Sequence, residues 1–129
     1  MNATEPAEPS RRAGPYRLVR RLGTGGMGAV FEGIHERTGA RHAVKLLATP
    51  AGKHPEDLAR FRREAALTAR LEHEGIVRVH DLGLERPPYY IAMDLVEGES
   101  LQARLDREGA LPVELAVEVA TRLAAALWH

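Results

Sequence analysis

With 129 residues and equal totals of 18 basic and 18 acidic side chains, the chain is sized for about one domain. It has no overall positive field to gather nucleic acid or an anionic membrane surface. The absence of cysteine excludes a disulfide frame, a thiolate nucleophile and any zinc site built on cysteine, and fits a cytoplasmic protein.

Residues 1–15, with Pro6, Pro9 and Pro15 among Glu, Ser, Arg and small side chains, show no apolar period and are expected to form a flexible tail. Arg11-Arg12 resembles the start of a twin-arginine signal, but Ala13-Gly14-Pro15-Tyr16 stands where the apolar run should follow. From Tyr16 to Leu22, apolar Leu18, Val19 and Leu22 mix with Arg17, Arg20 and Arg21 as in a half-exposed strand. Ala29 to His35 and Arg41 to Leu47 are two further β-prone runs, joined by the turn residues Glu36-Arg37-Thr38-Gly39. Pro50 to His54 reads as a loop. A helix is expected from Pro55-Glu56-Asp57 to about Leu71, because Leu58, Phe61, Ala65 and Ala69 recur at helical spacing and the acids suit the positive end of the helix dipole. Ile76 to Leu84 and Tyr89 to Val96 predict two more strands across Glu85-Arg86-Pro87-Pro88.

Beyond Gly98 the pattern is helical. Ser100 is placed to cap a short helix that Gly109 ends, and Pro112 opens a longer one with Val113, Val117, Leu123 and Leu127 on one side. That stripe is worth roughly 6 to 12 kcal/mol if buried and has few partners within the chain, so self-association or a partner chain through residues 112–129 is expected. No run approaches the roughly 18 consecutive apolar residues of a membrane-spanning helix. This reading is compatible with a membrane anchor in a C-terminal part beyond His129.

Gly23, Gly25 and Gly28, with an additional Gly26, let backbone amides approach a phosphate chain with no Cβ between. Dinucleotide folds share Gly-x-Gly-x-x-Gly, but there the third glycine opens a helix and an acid follows about twenty residues on. In this chain a strand-like run follows Gly28, and the downstream position holds Lys45. A Walker-type loop needs Gly-Lys-Ser or Gly-Lys-Thr, which does not follow these glycines. Ala43 and Lys45 lie two apart on an expected strand, so their side chains leave one face about 6 to 7 Å apart. That spacing suits a small apolar residue against a base and an ammonium against phosphates. The six histidines contain neither His-Glu-x-x-His nor an i, i+4 pair, so no metal site is expected.

In these residues the chain resembles the protein kinase family, most closely the eukaryotic-like Ser/Thr kinases of bacteria. Leu22-Gly23-Thr24-Gly25-Gly26-Met27-Gly28-Ala29-Val30 matches the glycine-rich loop and His42-Ala43-Val44-Lys45 the third-strand motif. Phe61-Arg62-Arg63-Glu64-Ala65 is similar to the family's C-helix, His73-Glu74-Gly75-Ile76-Val77 to the loop into the fourth strand, and Met93-Asp94-Leu95-Val96-Glu97-Gly98 to the hinge. His42 stands where valine is frequent, and Glu74-Gly75 replaces the more usual Pro-Asn after His73.

The resemblance implies an α+β fold: a kinase-like N-terminal lobe at residues 16–97, with a five-stranded antiparallel sheet and C-helix, then the first helices of an incomplete C-terminal lobe at 98–129. It implies that Gly23, Thr24, Gly25, Gly26, Met27 and Gly28 hold ATP phosphates and that Leu22, Val30 and Ala43 roof the base. Lys45 would bind the α- and β-phosphates and pair with Glu64, Met93 would be the gatekeeper, and the backbone of Asp94 and Val96 would hydrogen-bond adenine. For Glu64 the local alternatives are Arg60 or Thr68, one turn away. The parent reaction would move the ATP γ-phosphoryl group to a protein Ser or Thr with Mg²⁺. The family's His-Arg-Asp loop and Asp-Phe-Gly metal ligand do not occur within these residues, so the chain is expected to be inactive alone. A second reading is a non-catalytic nucleotide-binding or regulatory module acting through a partner chain.

Overall fold

The computed structural model describes residues 11–25, 28–47 and 55–128. The expectations for residues 1–10, Gly26, Met27, the loop at 50–54 and His129 lie outside the described residues. Two compact units result: one extends through Arg70 and resumes at Arg78–Leu95, and the other joins Leu71–Val77 to the chain from Val96 onward.

The first unit is a six-stranded sheet with one helix. Its strands are β1 (Arg12–Ala13), β2 (Tyr16–Gly25), β3 (Gly28–His35), β4 (Arg41–Leu47), β5 (Val79–Gly83) and β6 (Tyr90–Asp94). Their spatial order is β1-β2-β3-β4-β6-β5, and every neighbouring pair is antiparallel. The expectation of five strands, and of a tail reaching residue 15, is corrected by β1. Ala13 is fully buried and pairs with Tyr16, while the Leu18 N–H donates to the Arg11 carbonyl at 3.1 Å. Two residues are too short to show a period, so only their burial under neighbouring strands reveals the strand. The intervening turn needs Gly14, which sits at φ 52° where a Cβ would lie 2.5 Å from the Tyr90 hydroxyl.

Alternation along the strands divides the apolar side chains between two faces. Val44, Leu46, Tyr90 and Ala92 join Tyr16, Leu18 and Phe31 in one cluster. Ile91, between Tyr90 and Ala92, turns to the other face and meets Phe61 and Ala65. These two belong to helix α1 (Pro55–Ala69), whose first turn carries Glu56 and Asp57, and their four-residue spacing puts both on one helical face. Ala69, expected on the same stripe, is exposed in the last turn.

Close packing at Gly83 yields a stability prediction. Gly83 faces Tyr90 across β5 and β6, and a Cβ at Gly83 would overlap the Tyr90 ring, which is itself buried. Gly83→Ala should therefore destabilise the sheet by about 1 to 3 kcal/mol. A urea unfolding midpoint equal to that of the unaltered chain would contradict this.

In the second unit, α2 (Leu101–Glu108) begins where the Ser100 side chain accepts from the Ala103 N–H and ends at Gly109, φ 76°. Helix α3 (Val113–Trp128) buries none of its side chains, leaving Val113, Val117, Leu123, Leu127 and Trp128 exposed.

Candidate functional site

The glycine stretch lies on the β2–β3 hairpin. Gly23 pairs with Val30, Thr24 with Ala29 and Gly25 with Gly28; Gly26 and Met27, between them, lie outside the described residues. Leu22 is exposed on β2, and Val30 is half-buried on β3. Cross-strand pairing carries this surface onward: Val30 faces Lys45, Ala43 faces Met93 and Lys45 faces Ile91. Ala43 and Lys45 alternate with Val44, so they share the face that holds α1.

On that face the Lys45 Nζ donates to Glu64 Oε1 at 2.7 Å. The lysine side chain is 19% exposed and the glutamate 40%. Glu64 reaches it because it precedes buried Ala65 and follows buried Phe61 by three residues, which turns it toward the sheet. Of the local alternative partners, the Thr68 hydroxyl donates at 2.8 Å to the Glu64 backbone carbonyl and not to its carboxylate. A pair this exposed contributes only about 0.2 to 1 kcal/mol. Its consequence is geometric, since it holds an ammonium at a defined place beside the glycine hairpin.

Met93 is half-buried on β6 and packs on the second apolar cluster. Asp94 ends β6 and is fastened on both sides: its N–H donates to the Arg78 carbonyl at 2.9 Å, and its Oδ2 accepts from the Arg78 N–H at 2.9 Å. His80 Nε2 donates to Asp94 Oδ1 at 2.5 Å. The Arg78 N–H first, and His80 second, hold the Asp94 carboxyl below the usual aspartate range. Val96, the last predicted site residue, is exposed in the second unit.

Two features went unread in the sequence. Glu32, 4% exposed, accepts from Arg20 Nη2 at 2.6 Å and Arg41 Nη1 at 2.7 Å, tying three strands together on the Ala43 face. A lone acid in the otherwise apolar run from Gly28 to Ile34 was the available signal, because a buried carboxylate requires cationic partners. The other is the stacking of the His42 and His80 rings, with centroids 4.3 Å apart and planes at 3°.

A glycine-rich hairpin, a fixed ammonium and the small apolar Ala43 on the ammonium's face suit a phosphorylated ligand with an aromatic base. Comparison with known proteins agrees. The profile of the protein kinase domain matches residues 16–129. The serine/threonine-protein kinase PknA of Mycobacterium tuberculosis is 42% identical over 120 residues, covering 89% of this chain and 28% of PknA. Pkn1 of Myxococcus xanthus is 44% identical over 92 residues, 71% of this chain and 13% of Pkn1. The crystal structure of the M. tuberculosis PknI kinase domain superposes with a TM-score of 0.73 at 35% identity, over 94% of this chain and 49% of that domain. The chain thus spans about half the length of the solved kinase domain and less than a third of either curated relative.

Proposed function

We propose that this chain, which belongs to the protein kinase family, is the ATP-holding part of a cytoplasmic serine/threonine kinase. The full-length reaction would transfer the γ-phosphoryl group of ATP to a protein hydroxyl. The observation that carries this reading is the Lys45–Glu64 pair on the face of β4 that also presents Ala43.

In this reading the amides from Gly23 to Gly28 cradle the phosphates and Lys45 neutralises part of their charge. Leu22, Val30 and Ala43 cover one side of the adenine, Met93 limits the depth of its slot, and the backbone of Asp94 binds its edge. Mg²⁺, when bound to ATP in the full-length enzyme, offsets charge on the β- and γ-phosphates. The family's own metal ligands and general base do not occur among these 129 residues, so the chain supplies binding and orientation without a group to deprotonate the acceptor hydroxyl. The exposed stripe of α3 is assigned to packing against the residues that complete the domain in the solved relative.

Titration with ATP, followed by nuclear magnetic resonance, should move the amide signals of Ala43, Lys45, Met93 and Asp94 in a saturable way. Phosphoryl transfer to a Ser/Thr substrate by residues 1–129 with ATP and Mg²⁺ should be absent. Unmoved signals would remove the ATP reading, and turnover that scales with the polypeptide and disappears in Lys45→Met would refute the catalytic incompleteness.

A further inference from the structure

We propose that His42 and His80 are positioning residues for Asp94, and that through them nucleotide binding at the end of β6 is strong with His42 neutral and weakens when His42 gains a proton. The inference rests on the reading of the Asp94 backbone as part of the adenine site.

Geometry links the three side chains across three strands. His42 on β4 pairs in register with Asp94 on β6, His80 on β5 stacks flat on His42, and the same His80 ring donates to the Asp94 carboxylate. Because an ionised carboxylate only accepts, His80 Nε2 must carry a proton in this arrangement. The opposite edge of the assembly is the Tyr16 hydroxyl on β2, 3.0 Å from His42 Nδ1. In the neutral His42 tautomer that carries its proton on Nε2, the hydroxyl donates to Nδ1. Protonation puts a hydrogen on Nδ1, so the tyrosine must turn from donor to acceptor.

The charged and titratable groups facing His42 come from every strand around it. Tyr16 lies on β2, His35 on β3, His80 and Asp81 on β5, and Asp94 on β6. Tyr90 stands behind Tyr16, with ring centroids 5.8 Å apart, and its hydroxyl is engaged by Asp81 at 3.0 Å. The carboxylate contact in the stack belongs to His80, whereas among the described residues His42 has a neutral hydroxyl at bonding distance and no carboxylate. A cationic His42 would therefore press its charge against the His80 ring without a bonded counter-ion, loosening the stack that aims His80 at Asp94.

Burial first, and the neighbouring His80 second, lower the His42 proton affinity from its ordinary value of 6.5. The sign follows from the lowered value. The neutral arrangement is fully present above pH 6.5 and is lost as pH falls through the lower folded value.

The test compares the unaltered chain with His42→Val and His80→Gln, the latter keeping a donor for Asp94 but no ring to stack or protonate. ATP dissociation constants are read by nuclear magnetic resonance titration at about pH 7.5 and about pH 5.5, on either side of the histidine range. The unaltered chain should lose about twofold to threefold more affinity on acidification than either variant, because a proton-linked shift somewhat under one pK unit is only partly developed at the lower pH. Both variants should show only the loss that comes from ATP itself. The titration of ATP itself is common to all three and cancels in the comparison. Equal losses in all three chains would overturn the proposal.

A second measurement needs no nucleotide. The Asp94 and Arg78 amide signals should follow the His42 ring titration in the unaltered chain and should not in His42→Val. Amides that ignore His42 would also overturn the proposal. Failure of ATP to bind at either pH, with the Asp94 amide still tracking His42, would instead remove the nucleotide reading and uphold the coupling.

Discussion

Methionine in place of Lys45 should raise the ATP dissociation constant by roughly tenfold to a hundredfold, the loss of one charge-assisted contact of about 1.5 to 3 kcal/mol. Stability should hardly change. Lys45 Nζ is bonded to Glu64 Oε1 at 2.7 Å, but the glutamate is 40% exposed and water can replace the ammonium when it is removed. The cost to folding should therefore stay within about 1 kcal/mol, while methionine preserves much of the side chain's apolar volume on the sheet. Affinity and stability thus separate, which a general weakening of the fold would not produce. Titration with ATP beside urea unfolding measures both, and unchanged affinity would show that Lys45 does not meet the phosphates.

The converse separation is expected at Phe61. Phe61→Ala should cost about 3 to 5 kcal/mol, a large share of the roughly 5 to 15 kcal/mol that holds a domain together. Phe61 is fully buried in the cluster with Ala65, Tyr89 and Ile91, and no other aromatic side chain of α1 is available to fill the space. The same ring fixes the rotation of the helix. Glu64 follows it by three residues, so loss of Phe61 should release the carboxylate from Lys45 as well as lower the unfolding midpoint. Hydrogen exchange along α1 and the urea midpoint report the two effects. A loss below about 1 kcal/mol would mean that the helix is not docked through Phe61.

Both residues stand in motifs that are legible without a structure. The glycine spacing before a strand-like run, the Ala43–Lys45 alternation and the Leu58–Phe61–Ala65 period are local patterns, and they announce the hairpin, the shared face and the amphipathic helix. Resemblance to kinases supplied Glu64 as the lysine's partner, and in the structure the two side chains meet. Local signals also placed the caps of α2, since Ser100 and Gly109 act on groups within four residues of themselves.

The remaining features depend on residues far apart in the chain. Arg20 meets Glu32 across 12 positions, His80 meets Asp94 across 14, and Tyr16 meets His42 across 26. No helical or strand period connects such pairs, and each side chain alone reads as an ordinary solvated polar group. The sequence by itself determined the family, the glycine-rich hairpin and the order of most elements, because backbone preference and apolar spacing act over a few residues. Only the tertiary structure decided that Ala13 extends the sheet, that Glu32 is buried between two arginines and that two histidines stack beside Asp94. Those outcomes follow from strand register, which brings together polar groups that must find partners once water is excluded.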